Sequence, residues 1–180
     1  MEQILLFLDI EGVLSVPGVE LLEQLPHASA PSMYPVQGAK QLLQTIDRSS
    51  WIEPFWISSW GQESTVWNHW SDTRPWSWAY PLSLLQHFRA KRQFTTDEMD
   101  GKLLAARWHS RRSNNRVVWI EDGFSSAVKD WAAHDPKVQL IDTSAFFHSS
   151  KKRCQTGIRQ WNIDLIRDAL SIQETIEVSA

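Results

Sequence analysis

Short apolar runs recur along the chain and predict the strands of a buried sheet. Ile4–Leu8 contains five consecutive apolar residues, and residues 55–57 and 117–120 form two further runs of the same kind. Apolar character without alternation is typical of strands that are covered on both faces, as in parallel sheets. Residues 138–141 predict one more strand.

Between these runs the pattern changes to that of amphipathic helices, with apolar residues three or four positions apart. Five helices are predicted, over 36–46, 63–70, 99–106, 125–133 and 161–172. Strands that alternate with helices predict an α/β fold of Rossmann type, with three layers and a mostly parallel sheet. We place the strand Ile4–Leu8 at its centre. The 180 residues suit a single domain over 1–180.

Two segments fit neither pattern. Residues 13–35 are interrupted by prolines and predict a turn or a small flap region. Residues 60–94 form a Trp-rich insertion or connection, and seven of the eleven tryptophans lie between Trp51 and Trp78. These rings could stack on nucleobases beside Arg74, but packing in the core or under a flap is the favoured interpretation, because tryptophan is highly buried on average.

Polar residues follow three of the predicted strands at the point where each strand ends. They are Asp9 and Glu11, then Ser58 and Ser59, then Glu121 and Asp122. Each has an ordinary structural explanation, as a turn residue or as the cap of the next helix. The repetition argues for a shared site, because ligands of open α/β sheets bind outside the carboxyl ends of the strands.

Charge and cysteine content narrow the class of protein. The net charge is −3, but residues 89–180 carry fifteen basic groups and residues 1–88 only three. An anionic ligand is therefore expected to bind to residues 89–180. Residues 89–116 are a solvated basic helix face or a phosphate-binding rim. The single Cys154 excludes an intramolecular disulfide framework. With no apolar run of membrane-spanning length and no cleavage-site pattern, we expect a cytoplasmic protein that does not bind membranes.

Lys102 lies in an early turn of a predicted helix that the capping-box pattern at residues 95–98 would begin. A lone lysine on a helix is usually solvated. Only the other motifs along the sequence make Lys102 a candidate for the functional site.

The ordered set of motifs resembles that of the haloacid dehalogenase-like (HAD) superfamily, and the likeness spans most of the chain. The matching segments are residues 9–14, residues 56–60, Lys102 and residues 119–122, with Lys102 twenty positions before Asp122. More narrowly, the strand followed by Trp56-Ile57-Ser58-Ser59-Trp60 is similar to the second motif of the small HAD domains grouped with Swiss Army Knife RNA repair proteins. This resemblance implies an HAD-like fold with a minimal cap domain or none.

The resemblance also implies a hydrolase, a phosphatase that attacks phosphoric monoesters through an aspartyl-phosphate. Asp9 would be the nucleophile, and Glu11 would protonate the leaving oxygen and then activate water. Ser58 and Lys102 would bind the phosphoryl oxygens.

A Mg²⁺ cofactor is implied at the same place. Asp9, the backbone carbonyl of Glu11 and Asp122 would hold this ion, with Glu121 nearby. An open site would admit bulky phosphorylated substrates such as a nucleic-acid end or a phosphoprotein.

Two residues depart from the usual family pattern. Glu11 stands where phosphatases of this superfamily have Asp, and Glu121 replaces a more usual Asp. The extra methylene of Glu11 leaves an alternative open. In that alternative the chain is a catalytically impaired binding module that recognises phosphate groups, nucleic acid or a protein partner through residues 60–80 and 89–116.

Overall fold

A computed structural model describes residues 2–17, 33–80, 98–146, 153–154 and 157–173. Its centre is a five-stranded sheet in which every neighbouring pair is parallel. The sheet strands are β1 (Ile4–Leu8), β4 (Ile52–Trp56), β5 (Ser77–Trp78), β6 (Arg116–Glu121) and β7 (Val138–Asp142). Their order across the sheet is β5-β4-β1-β6-β7, so the prediction of a mostly parallel sheet with the first strand at its centre is confirmed.

The described residues form five α-helices, which connect and cover these strands. They are α1 (Ala39–Arg48), α2 (Thr65–Ser71), α3 (Glu98–Ser110), α4 (Ser126–His134) and α5 (Gln160–Leu170). Buried side chains of α1 and α5 belong to one hydrophobic cluster, and buried side chains of α3 and α4 belong to a second cluster. A sheet between two helical layers is the predicted three-layer α/β fold of Rossmann type.

Alternation along the strands assigns each side chain to one of these two clusters. In β1, Ile4, Leu6 and Leu8 pack with α1 and α5, whereas Leu5 and Phe7 pack with α3. All five are at most 2% exposed. Coverage on both faces therefore explains the unbroken apolar run that predicted this strand.

The predicted elements are present, with shifted ends. The second strand extends back from the predicted 55–57 to Ile52. Pro54 is tolerated within it because the β5 ladder pairs only Phe55 and Trp56. The helix predicted over 63–70 begins as a 3₁₀ turn, Gly61–Ser64, and ends at Ser71.

The described parts of the two irregular segments contain more regular structure than their patterns indicate. The ends of the flap region form an antiparallel pair, β2 (Ser15–Pro17) with β3 (Met33–Pro35). The Trp-rich segment contributes the edge strand β5, which two residues are too few to predict. Residues 18–32 and 81–97, and with them most of the capping-box pattern at 95–98, lie outside the described residues.

Two smaller strands, β8 (Ala145–Phe146) and β9 (Arg153–Cys154), form a second antiparallel pair beyond β7. Every helix in the described ranges is too short or too polar to cross a lipid bilayer.

Candidate functional site

Asp9 lies directly after the central strand, at the carboxyl edge of the sheet. Its backbone N–H donates to Ile120 O at 3.1 Å, which extends the ladder between β1 and β6 by one residue. Phe7 and Trp119 are register partners on the α3 face, and two positions further along each strand lie Asp9 and Glu121. Strand alternation therefore directs both carboxylates to the same face. Asp9 is 4% exposed, so it is not a solvated turn residue.

Lys102 contacts both of these carboxylates from the helical layer above the sheet. It is the fifth residue of α3 and is 4% exposed. Its Nζ lies 2.9 Å from Glu121 Oε2 and 3.2 Å from Asp9 Oδ1. Burial of an ammonium group is costly unless it is paired and hydrogen-bonded, and here two carboxylates provide the pairing. The general tendency of helical lysines to be solvated does not hold at this position.

Several neighbouring groups alter the pKa of the Glu121 carboxyl. Burial raises the pKa of this carboxyl well above its ordinary value, and the charge of Asp9 raises it further, whereas Lys102 opposes the shift. A hydrogen bond between the Glu121 and Asp9 carboxyl groups acts in the same direction. A raised pKa between two acids that face each other is typical of functional sites, although structural ion pairs produce it too.

Asp122 completes a group of three acids. One carboxylate oxygen from each of Asp9, Glu121 and Asp122 lies within 4.8 Å of the others. Gly12 allows this approach, because its φ is +72° and a Cβ placed there would lie 2.3 Å from Asp122 Oδ2. Glycine is therefore required at this turn both by its backbone conformation and by its neighbour.

Thr143 fixes the turn to the end of β6, and the sequence analysis missed it. Its backbone N–H donates to Glu121 O at 2.9 Å, and its hydroxyl donates to Gly12 O at 2.9 Å. Thr143 follows β7 directly, so the rule that located the other polar residues, a small polar group just after a buried strand, applies to it as well.

Glu11 lies outside the three-acid group and has a different partner. Its Oε1 accepts a hydrogen bond from the indole Nε1 of Trp60 at 3.1 Å. The backbone around it is fixed by a turn, in which the N–H groups of Val13, Leu14 and Ser15 all donate to Ile10 O.

Ser58 lies just beyond β4 at the same edge of the sheet and is 2% exposed. Its Oγ accepts the backbone N–H of Trp60 at 3.4 Å. That bond uses an acceptor lone pair and leaves the hydroxyl hydrogen available to donate. Ser64 occupies the N-cap position of α2 without a side-chain cap. Ser58 accepts N–H groups at the start of the preceding 3₁₀ turn, with its carbonyl from Gly61 and with its Oγ from Trp60.

The acidic pair after β6 does not cap the next helix either. Ser125 has that position, and its Oγ accepts the N–H of Val128 at 3.4 Å. Neither Glu121 nor Asp122 therefore occupies the N-cap position of α4.

The donor set fits a hard divalent cation. Three carboxylates supply oxygen atoms, which Mg²⁺ prefers, and their mutual distances are short enough for a shared ion. The Glu11 side chain is not a member of this set, which leaves its backbone carbonyl as the predicted ligand.

The tryptophans of the Trp-rich segment divide into two groups. Trp67 and Trp76 are buried in the core on the α1 side, as the packing interpretation expects. Trp60 is half-buried and contacts Glu11, so it borders the candidate site.

A separate cavity of about 290 Å³ lies near the other end of α3. Its lining residues are Arg107, Ser110, Arg111, Trp131, His134 and Asp135. Five to nine residues separate Lys102 from Arg107 and Arg111, which is roughly 8 to 14 Å along a helix axis. This groove belongs to the basic stretch 89–116 and is distinct from the carboxylate site.

No family model, curated protein or solved structure matches this chain. The chemistry of the site must therefore be inferred from its own residues and distances.

Proposed function

We propose that the protein is an HAD-like, Mg²⁺-dependent phosphatase that hydrolyses phosphoric monoesters through Asp9. The observation that carries this proposal is the buried ion cluster of Asp9, Lys102 and Glu121 at the carboxyl edge of an all-parallel sheet. The resemblance to the superfamily supports the proposal, because its four motifs would meet at this edge. A purely structural role gives no reason for three acids and a lysine to share one mostly buried place, because apolar residues would be as stable there.

In the first step, an Asp9 carboxylate oxygen attacks phosphorus, and the P–O bond to the leaving group breaks as the aspartyl-phosphate forms. Glu11 gives its proton to the departing oxygen. In the second step, water attacks phosphorus, its proton passes to Glu11, and the bond between Asp9 and phosphorus breaks. Phosphate is released and both carboxyl groups return to their starting states.

The other residues position the phosphoryl group and balance its charge, which is most of what phosphoryl transfer requires of a protein. Lys102 offsets the negative charge of Asp9 before attack and that of the phosphoryl oxygens during it. Ser58 is available to donate its hydroxyl hydrogen to one of those oxygens.

Asp9, Asp122 and the backbone carbonyl of Glu11 would hold Mg²⁺, with Glu121 beside them. When bound, the ion would neutralise charge on the transferring group. The substrate class we favour is a bulky phosphorylated molecule, including nucleic-acid ends.

A phosphatase screen with Mg²⁺ tests this proposal. Small phosphate esters and oligonucleotides phosphorylated at the 5′ or 3′ end are incubated with the wild-type protein and with Glu11→Gln, and released phosphate is measured. We expect Glu11→Gln to lose about 10²- to 10⁴-fold on unactivated esters and less on activated ones. Cleavage of oligonucleotides that weakens steeply with added salt would identify a polyanionic substrate. A wild-type protein that releases no phosphate from any ester contradicts the proposal.

One observation favours a second candidate, a module that binds phosphate groups or nucleic acid without turnover. The groove between α3 and α4 combines the guanidinium groups of Arg107 and Arg111 with the ring of Trp131, which suits an anion that carries a stacking base. If this groove binds an oligonucleotide, Arg107→Gln with Arg111→Gln should weaken binding, whereas Arg48→Gln, at an exposed position of α1, should not. Fluorescence titration measures both affinities, and equal affinities for the two variants exclude the groove.

A further inference from the structure

Trp60 joins the second motif to Glu11 of the first. Its indole Nε1–H donates to Glu11 Oε1 at 3.1 Å across forty-nine positions of sequence. Glu11 is half-buried, and no hydrogen bond from its own turn orients its side chain among the contacts described. A glutamate has one more rotatable bond than an aspartate, so its carboxylate needs a partner if it is to stay in one place.

The indole that provides this partner is itself well fixed. The N–H of Trp60 donates to Ser58 Oγ, and its carbonyl accepts the N–H of Glu63 at 3.1 Å. Its ring packs edge-on against the fully buried ring of Trp67, with centroids 6.3 Å apart. The direction of the indole N–H is therefore set by the core and not by Glu11.

We propose that Trp60 is a positioning residue that holds Glu11 Oε1, so that Oε2 carries the exchangeable proton toward the leaving oxygen and later accepts one from water. This inference rests on the proposed phosphatase function. It also explains how the chain can use Glu where related phosphatases use Asp, because the indole restrains the longer side chain. Misplacement of a catalytic group by about 1 Å can cost on the order of a hundredfold in rate.

The test is a double-mutant cycle on two esters, phenyl phosphate and the activated p-nitrophenyl phosphate. Trp60→Phe should lower kcat on phenyl phosphate by roughly 10- to 100-fold with little change in KM. The loss should be smaller on p-nitrophenyl phosphate, whose leaving group needs no proton. In a Glu11→Gln background, Trp60→Phe should cause little further loss, since the proton it positions is already absent.

Trp70→Phe is the matched control. Trp70 packs edge-on against the same Trp67 ring at 5.5 Å, and its described ring contact outside that cluster is with Lys40. Removing this indole should leave both rates unchanged. Equal losses for the two variants, equal losses on the two esters, or an undiminished loss in the Glu11→Gln background would each overturn the proposal.

A measurement that does not depend on enzyme activity tests the contact between Trp60 and Glu11 separately from the proposed phosphatase function. In ¹⁵N NMR spectra, Glu11→Gln should shift the indole N–H resonance of Trp60 and leave that of Trp70 in place. An unshifted Trp60 resonance overturns the contact itself, whether or not the protein is active. A shifted resonance in a protein inert toward every ester and phosphorylated oligonucleotide of the phosphatase screen would keep the contact but overturn the catalytic role, together with the proposed function.

Discussion

The two faces of the sheet differ in the kind of group that they bury. On the side of α1, α2 and α5 the buried polar residues are uncharged, and they are Thr45, Ser49, Asn68, Ser71 and Asn162. On the side of α3 and α4, Asp9 and Glu121 from the strands and Lys102 from α3 are buried. The two-residue period of a strand places both of these carboxylates on one face of the sheet.

The uncharged face has its own polar network, and Asn68 is at its centre. Asn68 Oδ1 accepts from Trp56 Nε1 at 2.7 Å and from the N–H of Trp76 at 3.3 Å. These bonds attach the Trp-rich segment to β4 and satisfy groups that burial would otherwise leave without partners. On the charged face, by contrast, carboxylates are grouped together around one ammonium group.

The largest expected effect comes from the charged face. Asp9→Asn should lower phosphatase activity by about 10⁴-fold or more, because the amide keeps the shape but cannot act as a nucleophile. On the other face, Leu42→Ala should destabilise the protein by about 2–5 kcal/mol through the cavity it creates, with kcat preserved in the folded protein. Urea denaturation and ester hydrolysis measure both. An Asp9→Asn protein that turns over at the wild-type rate would remove Asp9 from the mechanism.

Lys102→Met should be the most destabilising change on the charged face. It leaves Asp9 and Glu121 buried without their counter-charge, and breaking a buried pair in this way costs about 3–5 kcal/mol. Lys40→Met is the control, because Lys40 pairs with Asp72 at the surface and such pairs contribute about 0–1 kcal/mol. Similar urea midpoints for the two variants would show that the buried cluster contributes no more than a surface ion pair.

Gly12→Ala tests the close approach to Asp122. A left-handed conformation costs a non-glycine residue about 1–2 kcal/mol, and the new methyl group must also displace the whole Asp122 side chain. Gly61→Ala pays the same conformational cost, with φ at +56°, but its Cβ would lie 3.6 Å from the Trp78 ring, an ordinary contact. We expect Gly12→Ala alone to weaken Mg²⁺ binding, measured by calorimetry; equal Mg²⁺ affinity in both variants would contradict the packing described at Asp122.

The smallest effect concerns His109, on the charged side of the sheet. Its Nε2–H donates to Ala79 O at 3.1 Å, its ring packs on Phe55, and burial lowers its pKa below the ordinary value, with Arg112 acting in the same direction. The neutral ring is the form that the fold favours. The stabilisation that the neutral His109 ring contributes is therefore complete above the unfolded-state pKa, about 6.5. It is lost as pH falls through the lowered folded-state pKa.

The loss should be less than about 1 kcal/mol, because the ring is partly exposed and its charge is partly screened. Denaturation at pH 7 and pH 5 should show a smaller difference for His109→Gln than for the wild type. His69→Gln, at an exposed position of α2, is the control, and a wild-type pH response in His109→Gln would refute this account.

The sequence predicted the sheet and its central strand because the strands are buried on both faces and keep unbroken apolar runs. It also predicted which residues reach the carboxyl edge, since strand ends are visible as abrupt changes from apolar to polar. The same pattern could not show that Lys102 is buried, because a helical lysine looks alike whether it faces water or two carboxylates.

Contacts that depend on how distant segments pack could not be predicted from the sequence. The bond between Trp60 and Glu11 joins two loops, and neither loop has a period that indicates its partner. The strand β5 is shorter than any pattern can detect. The hydrogen bond from Thr143 to Gly12 also requires β7 to lie beside β6, and the order of strands along the chain does not specify this arrangement.

The central position of β1 has a consequence for the order of folding. Ile4 pairs with Ile52 on one side but with Arg116 on the other, so about 110 residues must be synthesised before the second ladder can begin. At about 5–20 residues per second, the most apolar strand of the sheet would wait roughly 5 to 20 seconds with one edge unpaired. Contacts so distant in sequence also slow folding in general. The ion cluster of Asp9, Lys102 and Glu121 therefore cannot form before β6 is synthesised, and a nascent chain that still lacks β6 exposes an apolar edge suited to a chaperone.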